Sequence, residues 1–139
     1  MIGILIIAHG SLGESLMACA RHVVGNEPRQ VAFLAVYTED NPDDLLLKAQ
    51  ALVTKLNTGE GVLVLSDMYG ATPCNIVSKL LKPGEVEGVA GANMPMIVRT
   101  MTYRLESLMA LVEKAVSGGR EGVVHFNREN CDQYEAYKL

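Results

Sequence analysis

The chain has 139 residues, 49% of them hydrophobic, only 5% aromatic, and a formal net charge of −4. That is enough chain for one domain with a real core, and the acidic balance without a Lys/Arg cluster excludes a basic nucleic-acid-binding face. No apolar stretch approaches the ~20 residues that span a bilayer, and the opening apolar run lacks a basic flank and a cleavage site, so no membrane segment or signal peptide is read and a cytoplasmic protein is expected.

The elements alternate strand and helix. Ile2–Ala8 is a continuous apolar run, the mark of a strand buried on both faces of a parallel sheet. Ser11 and Glu14 have capping-box spacing. Leu16, Cys19, Ala20, Val23 and Val24 follow as one apolar helix face, which makes Cys19 a small core residue. Gly25-Asn26 closes that helix. Val31–Val36 is the second strand. Asn41-Pro42-Asp43-Asp44 opens a helix with a cap, a first-turn proline and two acids that suit the dipole. Its buried stripe is Leu45, Leu46, Ala49, Leu52, Val53 and Leu56, and Thr58-Gly59 ends it.

Val62–Leu65 is the third strand. Thr72-Pro73 reads as a cap followed by proline, and Ile76, Val77, Leu80 and Leu81 mark the third helix, stopped by Lys82-Pro83-Gly84. Val86–Ala90 is a fourth strand interrupted by Gly88. Asn93-Met94-Pro95 starts a further helical region that breaks near Tyr103. It resumes through Leu105, Leu108, Met109 and Val112 to Gly118-Gly119. Val123–Phe126 is a late short strand. The expected domain is residues 1–127, followed by a polar tail, residues 128–139, without periodicity. Repeated βα units imply right-handed crossovers and a single-domain α/β fold, a mainly parallel sheet with helices on both faces. The strand order does not follow from the sequence.

Three strand ends carry the chemistry: His9, Asp67 and Asn93. A parallel sheet puts them on one edge, where ligands bind in open α/β sheets. If the first and third strands are neighbours, Asp67 reaches the His9 ring. A carboxylate accepting from Nδ1 fixes the tautomer and leaves Nε2 as a directed nucleophile. Without that contact, His9 is a surface histidine and Asp67 a turn or cap residue. Gly10-Ser11 and Ala71-Thr72 open two helices whose N-termini offer N–H groups and positive dipole ends to an anion such as a phosphoryl group. The Ser11 and Thr72 hydroxyls add donors, and both are equally good as ordinary caps.

No Walker-type loop and no Gly-x-Ser-x-Gly elbow occurs in the sequence, so neither direct use of ATP nor an α/β-hydrolase mechanism is read. His22 and His125 lack ligand partners at metal spacing. No metal and no cofactor is expected. Cys19, Cys74 and Cys131 suggest neither a disulfide framework nor a zinc knuckle.

At Ile6-Ile7-Ala8-His9-Gly10, and again from Leu65 through Asp67, Gly70, Thr72 and Pro73 to Asn75, the chain resembles the mannose-type enzyme IIA components of the bacterial sugar phosphotransferase system. Gly91-Ala92-Asn93-Met94-Pro95-Met96 and Arg120-Glu121-Gly122-Val123 extend the resemblance. The resemblance implies a phosphotransferase component. A phosphoryl group passes from phosphoenolpyruvate through enzyme I and HPr to a histidine of enzyme IIA, then to an enzyme IIB and finally to a sugar. His9 matches the phosphorylated histidine, Asp67 its acidic partner and Thr72 the hydroxyl beside it. The resemblance also implies a homodimer whose short last strand, antiparallel in its sheet, crosses to the other subunit. Met68-Tyr69 departs from relatives that carry a smaller hydroxyl residue and tryptophan there. No enzyme IIB domain follows, and the tail after Asn127 matches no family segment.

Other readings stay open on sequence alone. One is the related phosphoryl-donor subunit of dihydroxyacetone kinase, against which the Thr-Pro-x-Asn segment weighs. Another is a tetrapyrrole metal chelatase with a His-Gly-Ser motif, which needs further metal ligands. A third is a noncatalytic binding module in which His9 is only structural.

Overall fold

In a computed structural model, which describes residues 1–25, 28–70 and 72–129, the chain runs β1 (Gly3–His9), α1 (Leu12–Val24), β2 (Val31–Val36), α2 (Pro42–Leu56), β3 (Val62–Ser66), α3 (Thr72–Leu80), β4 (Val86–Ala90), α4 (Met94–Thr102) and α5 (Leu108–Glu121). The four strands form one parallel sheet in the order β2-β1-β3-β4. The chain steps from β1 to β2 on one side, then returns to place β3 on the other. That reversal opens a crevice at the carboxyl ends of β1 and β3, the place where doubly wound sheets bind ligands.

The apolar runs fill two cores, one on each face of the sheet. Ile4, Ile6 and Ala8 of β1 join Leu63 and Leu65 of β3 against Leu16, Met17 and Ala20 of α1, Met96 and Ile97 of α4, and Leu111 and Ala115 of α5. Leu5 and Ile7, with Val62 and Val64, face Leu45, Ala49 and Leu56 of α2 and Ile76, Val77 and Leu80 of α3. Alternation along a strand sends successive side chains to opposite faces, so a strand covered on both sides must be apolar throughout. Two caps form as expected. Asn41 accepts from the N–H groups of Asp43 and Asp44, and Asn93 accepts from that of Met96. The break at Tyr103 occurs as well.

Several sequence expectations fail for local reasons. Ser11 is the N-cap of α1, but with φ −90° and ψ 8° it is not extended, and its side chain makes no cap bond. A capping box needs an extended cap residue, so Ser11 and Glu14 do not form one. Cys19 is exposed, because the buried face of α1 runs through Gly13, Leu16, Met17 and Ala20. Thr72 lies inside α3 as its first residue and does not precede it. Leu81 is exposed, beyond the end of α3. Gly88 does not interrupt β4. A Cβ there would stand 2.8 Å from Val77 Cγ1, so glycine lets α3 lie on the strand. The last helix resumes at Leu108, leaving Leu105 exposed in the turn. Val123–Phe126 forms no strand among the described residues, and Val123 and Phe126 stand 77% and 70% exposed. Expectations for Asn26, Ala71, Cys131 and the tail beyond residue 129 fall outside the described residues.

At the opposite, amino edge of the sheet lies a charged residue that the sequence did not single out. Arg104, between α4 and α5, is 5% exposed. Its guanidinium donates to the carbonyls of Ile2, Arg29 and Gln30. These bonds tie the α4–α5 connection to the start of β1 and to the approach to β2.

Candidate active site

β1 ends on His9 because its apolar run ends there, and β3 places Asp67 one residue beyond Ser66 on the neighbouring strand. The β1–β3 register then brings the two side chains together. His9 Nδ1 lies 2.8 Å from Asp67 Oδ2, and the same oxygen accepts the His9 backbone N–H at 3.0 Å. Asp67 Oδ1 accepts the Met68 N–H at 3.0 Å. The carboxylate is therefore held at both oxygens and cannot swing away from the ring.

Burial, the largest single influence on this carboxyl group, opposes its ionisation. The N–H bonds from the His9 backbone and ring, the attraction of the imidazole and the Met68 N–H together outweigh it, so the Asp67 pKa falls below the ordinary carboxylate value. An ionised carboxylate is an acceptor only, so Nδ1 is the nitrogen that carries hydrogen and Nε2 holds the lone pair of the neutral ring. The His9 side chain is 50% exposed and that of Asp67 11%. A reagent in solution can therefore reach the imidazole, while the acid behind it is shielded.

The sign of the pH dependence follows from that depressed value. Asp67 contributes stability above the unfolded carboxylate pKa, and the contribution is lost as pH falls through the lower folded value. Asp67→Asn should therefore cost stability at pH 7, and its deficit against the wild type should shrink as pH falls through the carboxylate range. Urea unfolding across that range checks this. A deficit independent of pH would mean that the charge plays no part.

Around this pair the helix starts present unspent donors. Gly10 turns the chain with φ 55°, a left-handed conformation that favours glycine. Its own N–H is committed to the Val36 carbonyl at 2.9 Å, so Gly10 shapes the turn and is not an anion donor. The first bond of α1 runs from the Ser15 N–H to the Ser11 carbonyl. The N–H groups of Leu12, Gly13 and Glu14 precede it and have no intrahelical acceptor. The Ser11 hydroxyl, free of cap duty, stands beside them. The exposed Thr72 opens α3 above the end of β3, and its hydroxyl has no hydrogen-bond partner among the described residues. Ala71 lies outside them.

Asn93, the third strand-end residue, is structural. Its amide caps α4 and donates to the Gly119 carbonyl at 3.1 Å. Among the described residues no group of three His, Cys, Asp or Glu side chains could hold a metal ion, so the further ligands that a chelatase needs are not found there. Sequence reasoning overlooked Tyr37, the first residue past β2 on the same edge. The rule that picked out Asp67 applies to it equally.

This geometry agrees with the comparisons to known proteins. Residues 3–116 match the family model EIIA-man, described as the PTS system fructose IIA component. The mannose-specific EIIAB component of Escherichia coli K12 is 38% identical over 125 residues, which cover 88% of this chain and 38% of that protein. The chain thus spans well under half the length of that relative. The phosphotransferase system component EIIA from Streptococcus agalactiae superposes with a TM-score of 0.80 at 26% identity, covering 91% of this chain and 98% of that one. The mannose/sorbose-specific IIA subunit from Enterococcus faecalis gives a TM-score of 0.81 at 23% identity, over 91% and 95% of the two chains, a likeness of fold. A doubly wound sheet with an Asp-held histidine at its switch point, and a family match over most of its length, make this chain a member of the mannose-type enzyme IIA family of the sugar phosphotransferase system.

Proposed function

We propose that the protein is a phosphoryl carrier that accepts phosphate from phospho-HPr on His9 and passes it to an enzyme IIB. The observation that carries this reading is the 2.8 Å contact between His9 Nδ1 and Asp67 Oδ2 on a half-exposed ring. The Nε2 lone pair attacks phosphorus. The bond from phosphorus to the donor breaks, and its electron pair leaves with the donor. The Nδ1 hydrogen stays in place against Asp67, so the positive charge that the ring gains faces a carboxylate. Transfer onward reverses the step: an acceptor on enzyme IIB attacks phosphorus, and the P–N electron pair returns to Nε2.

Ser11 and Thr72, with the first N–H groups of α1, which have no intrahelical acceptor, offer hydrogen bonds to the phosphoryl oxygens and offset their repulsion from Asp67. Ala71 belongs to the same expected cradle. Gly10 serves it by turning the chain. A cytoplasmic site of action fits this role, and no helix among the described residues is long and apolar enough to cross a membrane. The test is direct. Protein mixed with phosphoenolpyruvate, enzyme I and HPr should gain one phosphoryl mass that acid removes and base does not. No gain with competent donors would contradict the reading.

A homodimer with exchanged last strands belongs to the same proposal. β4 ends the sheet with no strand on its outer side, and Val123–Phe126 belongs to no strand, among the described residues. A partner's edge would satisfy both. Sedimentation at micromolar concentration should give twice the chain mass, and a monomeric mass would contradict strand exchange.

A further inference from the structure

We propose that Tyr37 is a phosphoryl-contacting residue whose phenol hydroxyl donates a hydrogen bond to the phosphoryl oxygens carried on His9. This rests on the phosphoryl-carrier reading and adds to it a donor that the strand-end motifs do not include. β1 is flanked by β3 on one side and β2 on the other, and all three strands end at the same edge. Asp67 is the first residue past β3, and Tyr37 is the first past β2. His9 is in register with Val36, and the Gly10 N–H continues that ladder to the Val36 carbonyl. Tyr37 therefore leaves β2 directly alongside the His9-Gly10 turn.

Its ring leans toward that turn. Tyr37 Cε1 stands 4.0 Å from the point that a Cβ on Gly10 would occupy. The backbone beneath it is fixed at both ends of a tight turn, with the Tyr37 N–H donating to Asp40 Oδ2 at 2.8 Å and the Asp40 N–H to the Tyr37 carbonyl at 3.1 Å. The hydroxyl has no hydrogen-bond partner among the described residues, and the side chain is half exposed.

The two imidazole nitrogens look in roughly opposite directions. Nδ1 is spent on Asp67, on the β3 side, which leaves Nε2 facing away from β3. β2 and Tyr37 lie on that other side of β1. Tyr69, the other exposed tyrosine near the site, follows β3, the strand that leads to Asp67. Phosphohistidine already places a dianionic group in the field of the ionised Asp67. A neutral phenol supplies a charge-assisted O–H···O bond without adding charge of either sign, and its two-torsion side chain loses little entropy on doing so.

Tyr37→Phe keeps the ring against Gly10 and removes only the hydroxyl. The measurement is the equilibrium constant for phosphoryl exchange between phospho-HPr and this protein, together with the 31P shift of the phosphohistidine. An equilibrium constant does not depend on how fast two proteins dock, so a purely docking or structural role of the ring leaves it unmoved. The variant should still take phosphate on His9. Its exchange equilibrium should shift about fivefold to tenfold toward phospho-HPr, as expected for loss of one charge-assisted bond at a half-exposed site, and its 31P signal should move. A variant within twofold of wild type and with an unchanged 31P shift overturns the role of Tyr37 while leaving the carrier reading intact. Failure of the wild type to take phosphate overturns both.

Discussion

His9→Ala is expected to take phosphoryl incorporation from nearly one group per chain to none, with the fold retained. The substitution removes the one lone pair that the site directs outward. What remains at that edge is unsuited to replace it. Asp67 keeps two backbone N–H bonds, from residue 9 and from Met68, and Cys74 sits half-buried in the first turn of α3. The structural cost should be small, because the ring is half exposed and the His9 backbone N–H keeps its own bond to Asp67. Losing one solvent-facing side-chain bond costs about 1 kcal/mol. Circular dichroism and thermal melting would show the native spectrum and a modest shift. Persistence of label would place the nucleophile elsewhere, and its chemistry would say where: an acyl phosphate on Asp67 is labile to base, unlike phosphohistidine.

Arg104→Met should be the most destabilising of the single substitutions considered for this chain, although it is far from the site. Methionine retains much of the apolar stem and removes four hydrogen bonds to three main-chain carbonyls. Burial lowers the Arg104 pKa to about 10, so the guanidinium is still a cation at neutral pH. No carboxylate pairs with it among the described residues, and carbonyl dipoles carry the compensation instead. Removing the donor leaves buried acceptors short of partners, which costs more than the bonds' net worth. A loss of roughly 2–4 kcal/mol is expected, with a melting temperature lower by on the order of 10 °C. Arg104→Lys should recover only part of this, since an ammonium lacks the planar fork that reaches several carbonyls at once. A melting temperature within a degree or two of wild type for Arg104→Met would show that the clamp contributes nothing.

The parts of this molecule that the sequence reveals are those written in local chemistry. Strands covered on both faces must be apolar throughout, and β2 and β4 have the bounds that their apolar runs mark. Asn41 and Asn93, each followed within two residues by proline, announce helix starts that the structure contains. His9 and Asp67 stand out because a titratable group at the end of a buried strand has no packing reason to be there. What the sequence leaves open is set between elements. Strand order decides whether Asp67 meets His9, and it depends on which helices pack on which face. The error at Cys19 has the same origin: α1 turns Gly13 and Met17 toward the sheet, where a Cβ on Gly13 would stand 3.2 Å from Ile6 Cγ2. Ser11 looks like a capping residue, but its backbone, following the left-handed Gly10, denies it the extended conformation. Arg104 reads as one more charge in a polar turn. Its value comes from carbonyls more than seventy residues away in sequence. Val123–Phe126 has a strand's composition but lies in no strand among the described residues, because pairing depends on an available edge and not on composition.

If Asp67 holds the Nδ1 hydrogen, Nε2 alone receives phosphate. Nitrogen-15 NMR of protein labelled in histidine, before and after phosphorylation through HPr, measures this at the atom concerned. The expected result is a His9 ring protonated at Nδ1 in the free protein and a phosphorus coupling to Nε2 in the phosphorylated one. Coupling to Nδ1, or a His9 ring unchanged when the protein carries phosphate, would contradict it.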